Sequence, residues 1–332
     1  MPSSGEIPTH LIEICVGPKS KADQERLTLA LRGLAAKDST LSTWIDQESG
    51  QTILAGQSEV HLARAISELR SDHEILFDVG APQVAYLETL GRPAEVDYTH
   101  RKATSPAEFA RVRIVLETAA HGSGFTFERR IADGVLPEVF VAAVRHGLEQ
   151  ARLAGILAGF PLTDFRAILV DAICHDLDSS ALAFELAARG ALKELRQKGA
   201  PLLLWPIMKV EVTTPVEFRS DVLGTLIAVG AQVLARDPKG PENLVQGFAP
   251  LANLLGFGRL PEALSCGQAS IAMRYDHRGP VPPWAPEPDD DPPFRPAVGM
   301  RLANLRSTEA VARVIPFRPA PSRGGDGSGA SR

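Results

Sequence analysis

The residues whose types and spacing come closest to a reactive site surround His175, in the stretch Cys174-His175-Asp176-Leu177-Asp178. A histidine titrates near neutral pH, so His175 could be a general base, a metal ligand, an RNA contact or a solvated loop residue. A metal site is disfavoured, because adjacent residues on one loop seldom converge on an ion and no zinc-type spacing accompanies them. The residues alone favour a solvated loop histidine and leave the other three roles open.

No nucleotide-binding loop is present in the sequence. A GTPase needs the pattern G-x-x-x-x-G-K-[ST], whose backbone amides and lysine hold the phosphates. Residues 17–20 (GPKS) imitate its end, but the upstream glycine is missing and Pro18 removes a backbone donor. Residues 122–124 (GSG) lack the third glycine of a dinucleotide site. Since no nucleophile-elbow motif occurs either, the sequence predicts a protein that is not an enzyme and uses no cofactor or metal.

Charge is distributed unevenly along the 332 residues, whose formal net charge is −5. From Pro292 onward seven arginines face only Glu309 and Asp326, a local charge of +5 that leaves −10 on the residues before it. Lysine and arginine supply most of the non-specific affinity for nucleic acid. The acidic body therefore predicts that any RNA contact is local and matched in shape.

Membrane insertion and secretion are not predicted. No apolar stretch approaches the roughly 20 residues of a membrane span, and residues 1–10 are short and polar, without a secretory pattern. The cysteines Cys15, Cys174 and Cys266 are far apart and show no C-x-x-C spacing, which predicts reduced thiols. We therefore expect a cytoplasmic protein with no membrane partner.

Proline marks the carboxyl-terminal limit of the predicted fold. From residue 279 the sequence reads GPVPPWAPEPDDDPPFRP, and prolines at this density fix φ and remove backbone donors, which predicts an extended linker. Residues 318–332 have the glycine, serine and arginine content of a disordered tail. We expect residues 1–7 and 279–332 to be disordered and the fold to occupy residues 8–278.

Strand-like and helix-like segments alternate in the first eighty residues. Residues 11–16 alternate as a strand, and a helix follows in which Leu27, Leu31 and Leu34 repeat at helical spacing. Two strands around a glycine turn, a second helix and a last strand complete the order β-α-β-β-α-β, which is typical of a ferredoxin-like plait. These later segments are the strands 40–45, 51–54 and 74–79 and the helix that begins at Ser58.

Two further helices are predicted in the middle of the chain. Residues 138–153 place apolar side chains along one helical face. Residues 181–198 follow a cluster of capping residues and end at Gly199. Together with a buried strand at 168–170, this order predicts that His175 lies on a loop between a strand and a helix. The predicted buried stripe of the first of these helices is Val141, Val144, Leu148 and Ala151.

Blocks spread along the whole predicted fold carry a resemblance to one known family. They include PKSKADQE, GQSEVHL and VGAPQVAYLET in the first part, GVLP, GILAGFP and HDLDSSALAF in the middle, and PLLLWPIMKVEV and GFAPLANLLGF in the last. In this order they closely resemble the carboxyl-terminal half of translation elongation factor G. The resemblance implies an α+β fold in which two ferredoxin-like plaits flank a module like domain 2 of ribosomal protein S5. It implies domains at residues 8–85, 86–199 and 200–278.

The resemblance also implies where RNA is contacted. In this family the tip of the fourth domain enters the decoding site beside the transfer RNA, and the histidine of the matching motif lies at that tip. His175 and Asp176 are therefore expected to contact RNA.

The second tip loop departs from the family pattern. Where the family has a glycine-rich stretch, which lets the backbone approach RNA closely, this chain has residues 103–109 (ATSPAEF). The preceding His100, Arg101 and Lys102 are expected to make a small phosphate contact. An ordinary exposed strand end is the alternative, with equal weight.

The leading hypothesis is a ribosome-associated translation factor without GTPase activity, whose partners are ribosomal RNA and transfer RNA. Positive charge is lost where the family carries paired arginines in its fifth domain, since residues 220–230 (SDVLGTLIAVG) contain none. Two alternatives stay open. The chain could be a scaffold that binds another protein, or one half of a split translational GTPase that acts with a separate GTPase domain.

Overall fold

The computed structural model describes residues 10–45, 50–73, 75–102, 108–132, 134–239, 242–256 and 268–282. Its three units of mixed sheet and helix confirm the predicted α+β class. The predicted disorder at 1–7, the tail from residue 283 onward and Cys266 all lie outside the described residues. In the part of the chain described, no helix is both long enough and apolar enough to cross a bilayer.

The first unit is a ferredoxin-like plait with the strand order β2-β3-β1-β4. Its first helix begins after Ser20, whose hydroxyl accepts the backbone N–H of Asp23 at 3.1 Å. The last strand is shorter than the predicted 74–79. The elements are β1 (Ile12–Pro18), α1 (Lys21–Lys37), β2 (Ser42–Ile45), β3 (Thr52–Gly56), α2 (Glu59–His73), β4 (Phe77–Val79) and the short β5 (Gln83–Val84).

Asp38 connects the two helices of this plait. Its carboxylate accepts hydrogen bonds from the hydroxyl and the backbone N–H of Thr40, at 2.6 and 2.9 Å. It also lies 3.0 Å from Nε2 of His61 on α2. The hydroxyl of Thr40, its N–H and then His61 lower the pKa of Asp38 to about 2. Folding therefore stabilises the ionised carboxylate.

We expect Asp38→Asn to reduce the acid sensitivity of this protein. Because the folded-state pKa lies below the unfolded value of about 3.9, the carboxylate stabilises the fold above about pH 4 and loses this effect as the pH falls. The urea midpoint should therefore fall further between about pH 6 and about pH 2.5 in the original chain than in the variant. Equal falls in the two proteins would contradict the role given to Asp38.

The second unit has the strand order β7-β8-β10-β9, and both of its helices pack on one face of this sheet. β9 and β10 are parallel. Because α3 follows β9 and α4 follows β10, both helices begin at the end of the sheet where β10 ends; we call this end the tip. The elements are β7 (Ala94–Lys102), β8 (Glu108–Thr118), β9 (Phe125–Arg129), α3 (Glu138–Leu153), β10 (Phe165–Ile173) and α4 (Ala181–Lys198).

The third unit repeats the plait with the order β12-β13-β11-β14. β6 (Leu87–Thr89), which precedes the second unit in sequence, pairs with β11 of this sheet. β14 continues two residues past the predicted end of the fold at 278, and its Pro280 is tolerated because β14 is an edge strand. The elements are β11 (Leu202–Pro215), a 3-10 turn (Val216–Phe218), α5 (Arg219–Ala228), β12 (Gln232–Lys239), β13 (Glu242–Pro250), α6 (Leu251–Leu254) and β14 (Ser270–Pro280).

The three units contain two hydrophobic cores. One core contains buried residues of both plaits, for example Leu54 in the first and Val210 in the third. The other lies between the second sheet and its helices, and contains Leu148 and Phe184. The two plaits are therefore joined by a shared core, whereas the second unit has a core of its own.

The predicted ends of α3 and α4 are confirmed, but two details differ. Arg152 is buried on α3 beside the predicted stripe, with its guanidinium 5.5 Å from the centre of the Phe125 ring, and burial lowers its pKa. Gly199 does end α4, yet its φ is −89°, and the left-handed conformation is adopted by Ala200 with φ 45°. A Cβ on Gly199 would lie 3.0 Å from the side chain of Leu90, so close packing explains this glycine.

Candidate nucleic-acid interface

The predicted contact residues come together at the tip of the second sheet. β7 and β8 are antiparallel, with Lys102 opposite Glu108 and Arg101 opposite Phe109. β10 runs beside β8 and ends at Ile173. The loop that follows β10 therefore lies next to the start of β8. Residues 100–102 and 175–176, which are far apart in sequence, thus lie at one end of one sheet.

His175 lies on the loop between β10 and α4, as predicted, and its ring stacks on Phe109. The ring centres are 4.0 Å apart and the planes are inclined by 16°. His175 is exposed, whereas Phe109 is half-buried. The imidazole nitrogens make no hydrogen bond to any residue within the described ranges. The stack itself was not predicted, although the aromatic Phe109, at the end of the stretch 103–109, was a signal for it.

Ser179 fixes this loop to the start of β8. Its hydroxyl donates to the carbonyl of Phe109 at 2.7 Å and accepts the N–H of His175 at 2.9 Å. The N–H of Ser179 donates to the carbonyl of His175 at 3.1 Å, and the N–H of Phe109 donates to the carbonyl of Asp178 at 2.8 Å. Four hydrogen bonds thus hold the backbone beneath the stacked rings in one arrangement.

Two further residues of this loop, Asp176 and Leu177, are exposed. Leu177 has 96% of its surface accessible, and Asp176 is exposed beside it. Ser180, at the end of this loop, caps α4, because its hydroxyl accepts the backbone N–H of Ala183 at 3.1 Å. A carboxylate repels phosphate, so Asp176 can contribute to an RNA contact only by accepting hydrogen bonds from base or ribose donors.

The three residues at the end of β7, positions 100–102, differ in their surroundings. His100 Nε2 and Lys102 Nζ lie 3.0 and 3.2 Å from the carboxylate of Glu108. Both contacts lower the pKa of Glu108, and the contact with His100 has the larger effect. Arg101 lies between them on β7, so its side chain points to the other face of the strand from His100 and Lys102. It is exposed and makes no ion pair with any described residue. The residues 103–107 between them lie outside the described ranges. Arg101 is therefore the cation of this segment that is available for a phosphate.

Further arginines on the outer face of the second sheet are paired with carboxylates. Arg111 pairs with Asp97 and Arg113 pairs with Glu95 across β7 and β8. The hydrogen bond from Arg111 is the main cause of the lowered pKa of Asp97. The two-residue spacing of both acids and both bases was the sequence signal for these pairs. Because each pair is neutral overall, this face adds little positive charge to the tip.

The other roles considered for His175 gain no support from its surroundings. Within the described ranges, no group of three or more histidine, cysteine, aspartate or glutamate side chains is arranged to hold a metal ion. Cys174 is a free, half-buried thiol. A general base would need a positioned hydrogen-bond partner, and none of the described residues offers one to the ring.

A separate groove of about 960 Å³ lies at the end of the second sheet opposite the tip, where the three units meet. His121 and Asp164 line it from the second unit. Arg278 lines it from β14 and donates hydrogen bonds to the carbonyl oxygens of Ala85 and His10 in the first unit. Burial lowers the pKa of Arg278. The groove is thus a joint between units, at the far end of the sheet from the predicted contact residues.

Comparisons with known proteins agree with this architecture. Models of elongation factor G domain III, domain IV and the carboxyl terminus match residues 7–81, 82–200 and 202–287 respectively. The chain is 43% identical over 276 residues to elongation factor G of Paracoccus denitrificans and 44% identical over 276 residues to that of Hyphomonas neptunium. Each alignment covers 83% of this chain and 39% of the relative.

A solved structure from Thermus thermophilus shares the fold. It superposes with a TM-score of 0.66 at 31% sequence identity, covering 92% of this chain and 44% of that chain. The match extends over all three units described above. The chain therefore belongs to the elongation factor G family and contains its domain III, domain IV and carboxyl-terminal regions.

Proposed function

We propose that this protein is a ribosome-associated translation factor that contacts RNA through the tip of its second unit and does not itself hydrolyse GTP. The observation that supports this proposal is the meeting of Arg101 and His175 at one exposed end of a rigid sheet. A contact built on strands and a hydrogen-bonded loop is held in place before binding, which lowers its entropic cost. A cytoplasmic location follows from the proposal.

The charge distribution supports a local contact over a broad one. His100 and Lys102 both contact the carboxylate of Glu108, and Arg111 and Arg113 on the outer sheet face are paired with Asp97 and Glu95. The affinity for RNA must then come from few phosphates and from shape. A protein of this kind binds a folded RNA surface such as the ribosome better than an arbitrary duplex.

Co-sedimentation with purified ribosomes at physiological salt tests the proposal. We expect the full chain in the ribosomal pellet and no GTP hydrolysis by the chain alone. Complete absence from the pellet would overturn the proposed function. GTP turnover by the purified chain would overturn its second part.

We expect Arg101→Gln to weaken ribosome binding by about threefold to tenfold and to lower the slope of log affinity against log salt by about 0.7 to 0.9, as loss of one phosphate contact requires. Arg145→Gln is the matched control, because Arg145 is an exposed arginine of α3 in the same unit and pairs with Glu149 at 2.9 Å. The control should bind as the original chain does. An unchanged slope for Arg101→Gln would show that Arg101 meets no phosphate.

A second candidate function, a protein-binding scaffold, is favoured by the surface near α5. Val216 and Ile227 are 59% and 61% exposed there, among the acids Glu217 and Asp221. Such a surface suits a protein better than RNA. Capture of this protein from a lysate treated with ribonuclease distinguishes the two candidate functions. A ribosome complex that depends on RNA is lost after this treatment. A complex with a separate protein, including a separate GTPase domain, survives it.

A further inference from the structure

We propose that residues 300–314 of this chain dock on the outer side of α5 in the third unit. We call this side of α5, together with the 3-10 turn before it, the α5 face; its exposed residues are Val216, Glu217, Asp221 and Ile227. The docking segment lies outside the described residues, beyond the end of β14. This inference goes beyond the proposed function, because a contact within one chain needs no ribosome.

The α5 face leaves apolar surface uncovered. α5 packs on the third unit through Val222 and Leu226, which are buried. Val216 and Ile227 point away from this core and are each more than half exposed. They are eleven positions apart, close to three helical turns, so they lie on one side of the helix about 16 Å apart. Two exposed apolar side chains in this arrangement suit contact with a second helix.

The sequence of residues 300–314 (MRLANLRSTEAVARV) has a matching pattern. It contains neither glycine nor proline and is bounded by Gly299 and Pro316, which is typical of a helix. On a helix, Met300 and Val311 would lie on one side, and they too are eleven positions apart. The apolar stripe of this segment therefore has the spacing of the two exposed apolar residues of the α5 face.

Charge also favours this segment as the occupant. Glu217 and Asp221 are exposed and make no ion pair with any described residue, and Arg219 between them is half-buried. The segment carries three arginines against one glutamate, a formal charge of +2. The linker before it has acids at 287 and 289–291, which the α5 face would repel. The same repulsion disfavours RNA phosphate.

The linker is long enough for this contact. Near the end of the described chain, the N–H of Val281 donates to the carbonyl of Leu203 at 2.8 Å, at the start of β11. β11 runs from there to Pro215, so Val216, at the far end of the α5 face, is about 40 Å away at about 3.3 Å per residue. Residues 283–299 would span about 50 Å as an extended proline-rich linker.

Because the segment is tethered, a weak contact is sufficient. A linker of this kind holds the segment at an effective concentration on the order of 1 mM. With an intrinsic dissociation constant of about 0.1 mM, the segment would be docked about 90% of the time. Amides that are protected only when docked would then exchange about tenfold more slowly than in a free segment. A separate protein that binds the α5 face would have to displace the segment.

Hydrogen exchange of the full chain, read by mass spectrometry without ribosomes, tests the docking. We expect the amides of residues 300–314 to be protected about tenfold in the original chain. Two changes of the α5 face should each remove this protection: Ile227→Asp, and the charge reversal Glu217→Arg with Asp221→Arg.

Charge reversal of the segment provides the reciprocal test. The reversed residues are those of Arg301→Glu, Arg306→Glu and Arg313→Glu. This triple variant should also lose the protection. Combining it with the reversed α5 face should restore the protection, because both surfaces have then changed sign.

The matched control reverses the three arginines that follow the segment, Arg318, Arg323 and Arg332. It changes the charge of the tail by the same amount and should leave the protection unchanged. Exchange of β11 reports whether the third unit stays folded in each variant, which we expect because the altered residues of the α5 face are exposed. If an α5-face variant unfolds β11, the tail variants carry the test, since they leave every described residue unaltered.

Three results would overturn the docking. Exchange of residues 300–314 at the rate of a free peptide in the original chain would leave the α5 face to a separate protein. Protection that survives both changes of the α5 face would place the segment elsewhere on the chain. Protection that rises with protein concentration would assign the contact to a second copy. Because no ribosome takes part, each of these results leaves the proposed ribosome association standing, and a chain that fails to pellet with ribosomes leaves the docking standing.

Discussion

Replacing Glu88 by glutamine is expected to lower the free energy of unfolding by about 3 kcal/mol. Glu88 has no accessible surface, and its carboxylate accepts the backbone N–H groups of Ile156, Leu157, Ala158 and Phe160 at 2.6 to 3.0 Å. Four donors converge on one buried negative charge. Glutamine removes that charge and turns one end of the side chain into a donor that faces other donors.

The effect should extend beyond the loop that Glu88 holds. The N–H of Glu88 donates to the carbonyl of Pro161 at 2.9 Å, and its carbonyl accepts the N–H of Thr163 at 2.8 Å. Its neighbours on β6 pair with β11 in the third sheet. Glu88 thus joins the second unit to the third, and its loss should loosen the orientation of the tip relative to the plaits. Ribosome affinity is expected to fall together with stability.

Urea unfolding of Glu88→Gln and of the control Glu194→Gln measures this. Glu194 is an exposed acid on α4 that pairs with Lys198 at 2.7 Å, so its replacement should change stability by less than about 0.5 kcal/mol. If Glu88→Gln lowers the free energy of unfolding no more than the control does, the four hydrogen bonds are dispensable for stability. If the transition becomes biphasic, the free energy must be assigned to the separate transitions.

Much of the fold could be predicted because its signals are local. The limits of α3 and α4 follow from an apolar stripe, a capping serine at Ser180 and a glycine at Gly199. The β-α-β-β-α-β order follows from alternation and turn residues. The plait order of the third sheet follows only from resemblance to a family, since β14 is separated from β13 by residues that carry no clear strand pattern.

The tip could be predicted only in part, because its geometry depends on contacts between distant residues. The position of His175 on a loop could be inferred from neighbouring residues in the sequence. The hydrogen bond from Ser179 to Phe109 could not, because these residues are 70 positions apart. Predicting that His100 and Lys102 pair with Glu108 would require the register of the β7–β8 hairpin. The sequence between these two strands does not match a standard turn, so it does not fix this register. Glu88 stands out in the sequence only as part of a family block, because its role depends on a loop that begins 67 positions later, at Gly155.

Replacing Phe184 by alanine is expected to destabilise the second unit by about 3 to 5 kcal/mol. Phe184 has no accessible surface and lies in the core between the sheet and its helices. Its ring stacks on Phe140 of α3, with centres 4.7 Å apart and planes inclined by 18°. Alanine removes the ring and leaves a cavity, and close packing limits collapse: a Cβ on Gly147 of α3 would lie 2.6 Å from the carbonyl oxygen of Glu185.

Phe140→Ala is the matched control for this prediction. Phe140 belongs to the same stack but is only half-buried, so its removal loses less apolar burial and should cost clearly less than removal of Phe184. Thermal and urea unfolding compare the two variants. Because Phe184 lies on the first turn of α4, directly after the loop that carries His175, its loss should also lower the temperature at which ribosome binding disappears. Equal destabilisation by both substitutions would mean that the stack, rather than burial, supplies the stability.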